Sequence, residues 1–316
     1  MGASRRALVS RREVLGGLAL TTFGLAGVRA EGMAGAAANA SADLESTTGL
    51  MTSLVRMRGS LDERLVYIWL RGLRYTLIDG EAEPLCGYLG GSITRYRRLA
   101  DDMFEFLLYE VSYYTSIETG EVLRTLRMPR TGRTVTVPLY RTGPGRHVIM
   151  LANQEELDWH KGRTTSEELA KQIAPDAKVH YRFNVRPAAT LDGQVWIRND
   201  SFTRLVPNDP NEAAMFYKEA ITYQSSLAAL ADPGPPQVDT SISFAIATAW
   251  RPWMQMQGVD GHTMTDGVGG KVLELRQMPE DFIRFTAEHH PDVLDDPAAL
   301  LSAGGPNAPK DESSSE

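Results

Sequence analysis

The chain has 316 residues, 42% apolar and 23% charged, ordinary proportions for a soluble globular protein with a sizeable core. Its formal charge is −7, with no basic stripe or arginine-rich arm, so nothing in it supports nucleic-acid binding. Its one cysteine, Cys86, excludes an intrachain disulfide and every multi-cysteine zinc or iron–sulfur pattern, and reads as buried filler.

Residues 1–30 have the layout of a secretory signal peptide. Arg5, Arg6, Arg11 and Arg12 come first, an uncharged run follows from Val14 to Val28, and Val28-Arg29-Ala30 is a small-residue cleavage pattern. The run is too short and glycine-rich for a membrane span of roughly 20 apolar residues. Within it "SRREVLGG", Ser10 to Gly17, resembles the twin-arginine export motif, with Gly16 where a lysine often stands. The expectation is export to the periplasm by the twin-arginine machinery and cleavage after Ala30. Losing five arginines and one glutamate takes the charge from −7 to −11. Residues 31–50 are small and polar and read as a linker; residues 301–316 read as a disordered tail. That leaves 51–300 as a single β-rich domain.

Period-2 patterns dominate this stretch. "LVYIWLRGLRYTLID", 65–79, is aromatic and β-rich. In "DMFEFLLYEVSYYTSI", 102–117, Met103, Leu107, Tyr109, Val111 and Tyr113 share one face and Phe104, Phe106 and Leu108 the other. Both faces are apolar until Glu110, which predicts a strand covered on both sides. Residues 119–143 have hairpin spacing. "ANQEELDWHKGR", 152–163, gathers Asp158, His160 and Lys161 and reads as a solvated charged face. "TSEELAKQIA", 165–174, opens like a capping box. "VHYRFNVRP", 179–187, alternates, with His180, Arg182, Asn184 and Arg186 on the polar face, and Asp192-Gly193 marks a hairpin turn. Residues 210–232 form the longest helix candidate. "TSISFAIATAWRPW" is another strand, and 278–294, with Pro279 in the first turn, a further helix. Many strands without a βαβ rhythm predict a β-rich (α+β) fold: an antiparallel curved sheet or lipocalin-like barrel with a few peripheral helices.

Three stretches carry a resemblance: "TGEVLRTLRMPRTGRTVTV", "ISFAIATAWRPWMQMQGVDGHTMTDGVGGKV" and "MPEDFIRFTAEHHPDVL". Together they resemble a bacterial and fungal family known only as a domain of unknown function, number eighteen thirty-eight. Trp250-Arg251-Pro252-Trp253-Met254 is the most recognisable piece, and Met278-Pro279-Glu280-Asp281 corresponds to the family's acidic step. The resemblance spans about residues 51–295. It implies one domain, often with a twin-arginine leader, and no catalytic residue to carry over.

Recognised chemistry is sparse. The six histidines make no His-x-His or His-x-x-x-His pair, so no metal site is expected. Gly-x-Ser-x-Gly, Ser-x-x-Lys and phosphate-loop spacings are absent. The most suggestive stretch is "WRPWMQMQGVDGHTMTDGVGGK", Trp250 to Lys271. Its tryptophans and methionines suit an apolar wall, and its glycines a tight mobile turn holding His262 and Asp266. The expected ligand contacts are Trp250, Arg251, Trp253, Met254, Met256 and His180, around an apolar or aromatic small molecule. If the protein also transforms it, the chemistry is cofactor-independent acid–base work of the lyase, dehydratase or isomerase type. His262 is then the acid or base, Asp266 orients it, and Arg182 or Arg251 steadies an anion. The alternatives are a non-catalytic binding or scaffold protein and a redox enzyme loaded with a cofactor before export.

Overall fold

Period-2 alternation becomes one large sheet. The computed structural model describes residues 42–151, 178–206 and 215–302, without the side chains of 150, 178–183 and 188. The leader, residues 31–41 of the linker, the 152–163 cluster, the 165–174 helix candidate and the tail from 303 lie outside the described residues. The strands are β1 (Val66–Ile78), β2 (Glu81–Ala100), β3 (Met103–Thr115), β4 (Thr125–Arg127), β5 (Thr134–Thr136) and β6 (Tyr140–Met150). They continue with β7 (Lys178–Leu191), β8 (Gln194–Val206), β9 (Met215–Ser226), β10 (Ser241–Thr248) and β11 (His262–Val272). Nine of them pair in the order β6-β3-β2-β1-β11-β10-β9-β8-β7, and β4 pairs with β5. Every pairing is antiparallel. The sheet is curved, and among the described residues β6 and β7 are its two edges.

Asp-Gly steps make two of the hairpins. Asp192 and Gly193 have φ of 49° and 73°, the positive pair that a two-residue turn with matching twist requires. Asp79 and Gly80 repeat it between β1 and β2, a turn the strand pattern alone did not mark.

Helices cover the sheet unequally. α1 (Thr47–Arg58) begins inside the stretch read as linker, with the Ser46 hydroxyl accepting from Gly49 N. Its Leu50, Met51, Leu54, Val55 and Met57 pack with Tyr96, Phe106, Tyr223 and Ile242, which line the concave face. α1 therefore closes one end of the curved sheet. Buried Arg56 ties it to α2 (Leu227–Ala231), donating to the carbonyls of Leu230 at 2.7 Å, Ala229 at 3.0 Å and Asp232 at 2.7 Å. Lys271 Nζ donates to the carbonyls of Arg56 at 2.6 Å and Gly59 at 3.2 Å, holding the end of α1 to β11.

α3 (Glu280–His289), α4 (Asp292–Asp295) and α5 (Pro297–Ser302) follow the last strand. Phe282, Phe285, Val293 and Leu301 pack on Leu89, Tyr109, Val111 and Tyr113, the outer faces of β2 and β3. A side chain at Gly91 would run into the Phe282 ring, so this glycine sets how closely α3 approaches. β3 is thus covered on both faces, as its sequence predicts.

Two expectations fail. Residues 215–226 are strand β9, not part of a helix running from 210 to 232; only 227–231 are helical. Alanine, glutamate and lysine favour helix there, but pairing with β8 along the strand and with β10 over Tyr217–Gln224 overrides propensity. The glycine-rich stretch is not a mobile turn either. His262–Val272 is β11, hydrogen-bonded between β1 and β10. A side chain at Gly72 would strike the Asp266 carbonyl, and one at Gly267 the Arg71 carbonyl, so these glycines allow close approach of two strands.

Candidate functional site

The concave face encloses a cavity of about 310 Å3. Strand alternation supplies its walls: Ile68, Leu70 and Arg74 from β1, Phe106, Leu108, Glu110 and Tyr114 from β3, and Tyr217, Glu219, Ile221 and Tyr223 from β9 all point inward. The mouth lies under the segment after β10, where Trp250, Arg251 and Pro252 join the lining.

The floor is aromatic and cationic. The Arg58 guanidinium sits 5.3 Å from the Phe106 ring centre and 5.6 Å from that of Tyr223. Phe106 stacks between Tyr96 at 5.2 Å and His147 at 4.7 Å.

Midway up are two carboxyls. Glu110 stands four residues along β3 from Phe106, roughly 13 Å at ~3.3 Å per residue. Glu219 stands likewise above Tyr223 on β9. Glu110 is well exposed, but to the cavity interior, with protein surrounding it. Burial, and then the Glu219 carboxyl, push its pKa up to about 7 against the pull of Arg58. Glu219 is also raised by burial, but the Tyr217 hydroxyl donates to its Oε2 at 2.6 Å and, with Arg58, favours the ion. The two carboxyls of one cavity are therefore suited to different roles. Burial holds the Glu110 proton up to about 7, while at Glu219 the Tyr217 hydroxyl works for the ion against burial. A group poised near 7 is what general acid–base chemistry uses.

The mouth is a collar of phenols around a guanidinium. Arg74 is 4% exposed, donating from Nε to Thr265 Oγ1 at 2.9 Å and from Nη1 to Tyr114 Oη at 3.0 Å. Tyr88 and Tyr140 approach Tyr114 with ring centres 6.3 and 6.4 Å away, and Arg251 lies 5.5 Å from the Tyr217 ring centre.

Residues 62–304 match the family model described as protein of unknown function (DUF1838). The chain belongs to that family. Among the described residues, the match spans every strand of the DUF1838 domain and all the cavity-lining residues except Arg58. No curated protein matches the chain.

Within the DUF1838 domain the sequence-chosen residues scatter. Trp250 and Arg251 line the mouth, with Trp250 Nε1 donating to the Val259 carbonyl at 2.9 Å. Trp253, in a short 3-10 turn, packs 5.5 Å from Tyr114 but does not line the cavity. Met254 and Met256 are buried with Ile78, Met128 and Val135 in a separate core under the β4–β5 hairpin, not in a ligand wall. His262 is half-buried, edge-on to Phe216 at 5.7 Å, and outside the cavity lining. Asp266 is exposed on the outer face of β11, four residues and roughly 13 Å from His262. It cannot orient that imidazole: the glycines around it serve a straight strand, not a turn folding the two side chains together. His180 and Arg182 lie on β7, in register with Arg204 and Phe202; their side chains lie outside the described residues.

Sequence reasoning passed over Glu110, Glu219, Arg58 and Arg74. Glu110 left a trace, as the acid interrupting an apolar strand face. Glu219 alternates with Tyr217, Ile221 and Tyr223, a period-2 signal hidden by the helix reading. Among the described residues no three His, Cys, Asp or Glu side chains gather as a metal site. None of their helices is long and apolar enough to cross a membrane.

Proposed function

We propose that the protein is exported to the periplasm and there binds an apolar or aromatic small molecule in the cavity of its sheet, with Glu110 as the acid–base group that acts on it. Export rests on "SRREVLGG" at Ser10–Gly17 and the small-residue step at Ala30. Binding is supported by a cavity within the ~300–1,000 Å3 range of ligand pockets, whose walls carry apolar and aromatic side chains between the charged and hydroxyl groups that would orient a ligand. The observation that carries the acid–base step is the Glu110 carboxyl, held to about 7 beside a second carboxyl inside the cavity. Protonated, it donates to a leaving or enolic oxygen; ionised, it abstracts a proton from carbon. Either suits a lyase, dehydratase or isomerase step. His262 and Asp266 give up that role in this reading, because neither lines the cavity.

Native mass spectrometry of mature protein from the periplasm of its own host tests the reading. A small molecule should co-purify and be lost from Ser201→Trp, which fills the cavity from β8. Retention of the molecule by that variant would refute the cavity as its site. Glu110→Gln should keep the molecule bound and end its turnover. Turnover unchanged in that variant would remove the acid–base step and leave a binding protein.

A further inference from the structure

Resting on that reading of the cavity, we propose that the ligand is a small carboxylate, its acid group seated at the mouth on Arg74 with Arg251 beside it and its one- or two-ring body pointing down toward Glu110. Arg74 is the reason. It is more than nine-tenths buried in the cavity wall, and a guanidinium cannot shed its proton to escape burial. Its only hydrogen-bond partners among the described residues are neutral, Thr265 and Tyr114, and neither of them is reached by Nη2. Tyr114, the Cys86 thiol, Tyr88 and Tyr217, and no carboxylate, are the groups that offset the burial of its charge. Other arginines are served differently. Arg71, Arg141 and Arg284 pair with Asp281, Asp292 and Glu121 at the surface, and buried Arg56 has the carbonyls at the end of α2. A buried cation without an anion is costly, and a bound carboxylate removes that cost.

The collar fits the same ion. Tyr114 Oη accepts from Arg74, which leaves its own proton to donate into the cavity, and Tyr88 and Tyr140 add hydroxyls close by. Arg251 has no carboxylate partner among the described residues and lies over Tyr217. Among the described residues Arg74 is the one fully buried guanidinium at this end and Arg251 is only half-buried, which with the phenols suits a monoanion. A phosphate dianion asks for more cations or a nest of free backbone N–H groups, and here the backbone is committed to the ladders. Glu219 below adds repulsion against a second charge. The cavity holds roughly ten waters at ~30 Å3 each, the room for one or two rings. Four residues of β3, roughly 13 Å, separate Tyr114 from Glu110, so the body of an anchored acid extends along the wall toward the Glu110 carboxyl.

Isothermal titration at pH 7.5 tests this with benzoate, phenylacetate, phenylpropanoate and naphthoate, the amide of each, and phenyl phosphate. The expected result is acids at least roughly 10-fold tighter than their amides, the worth of one charge-assisted contact. Arg74→Gln should abolish that preference and Arg251→Gln narrow it, each by weakening the acids far more than the amides. If Arg74→Gln does not fold, Arg251→Gln and Tyr114→Phe carry the comparison, and an acid–amide ratio unmoved in both overturns the proposal. Acids and amides binding alike would overturn it while leaving the cavity reading standing. Phenyl phosphate binding more tightly than phenylacetate would overturn the choice of carboxylate. No binding by any member of the set would refute the cavity as a site for one- or two-ring molecules, and the proposal with it.

Discussion

Replacing Glu110 by glutamine should stabilise the protein at alkaline pH and change little at acid pH. The unfolded carboxyl titrates near its ordinary 4.5, whereas the folded one titrates at about 7. Between those values the folded state holds a proton that the unfolded state has lost, so wild-type stability falls as pH rises from 4.5 to 7 and is level above. A rise of that size converts to roughly 3.4 kcal/mol without screening. Much of the Glu110 side chain meets cavity solvent, which screens the charge, so about 1–2 kcal/mol is expected. In a domain this size that is a melting point higher by roughly 2–8 °C for Glu110→Gln at about pH 8, closing to nothing at acid pH, below the ordinary carboxyl range. Thermal melts of both proteins across about pH 4.5–8.5 provide the assay, and subtracting one profile from the other cancels groups common to both. A difference that stays constant across that range would refute the raised pKa, and with it the argument that Glu110 is poised for proton transfer.

Other substitutions probe the scaffold. Gly91→Ala should destabilise by about 1–3 kcal/mol in urea, because the new methyl meets the Phe282 ring and α3 must shift. Burial pushes the Cys86 thiol up to about 11, although Arg74 pulls it down, so iodoacetamide at about pH 8 should label it only after unfolding. Trp253→Ala should cost about 3 kcal/mol of stability, since its ring packs on Tyr114 and the Cys86 cluster; loss of ligand with no change in melting point would show a contact role instead. His262→Ala should leave ligand affinity and turnover unaltered, and a loss of turnover with affinity intact would restore it to the chemistry.

Much of the scaffold was legible. β1, β3, β7 and β10 follow from alternation, the Asp192-Gly193 turn from its dipeptide, and α3 from Pro279 followed by two acids. Alternation also sorted the faces of β3 correctly, down to Phe106 and Leu108 on one side and Tyr109 and Val111 on the other. What misled was composition read without pairing. Residues 215–226 have helical propensity but are held by two neighbouring strands, and the glycines of β11 look like a turn until β1 is seen pressed against them.

By itself the sequence determined period, turn chemistry and which side chains share a face, because each is set within a few residues by backbone sterics. Only the tertiary structure decided which faces meet. Glu110 and Glu219 come from strands far apart in the chain, and Arg74 reaches Tyr114 across two strand pairings. Those encounters depend on strand order and on the curl of a nine-stranded sheet, which no local pattern encodes. The same is true of what raises the Glu110 pKa, burial and a neighbouring charge, since both exist only once the sheet has curved around that carboxyl.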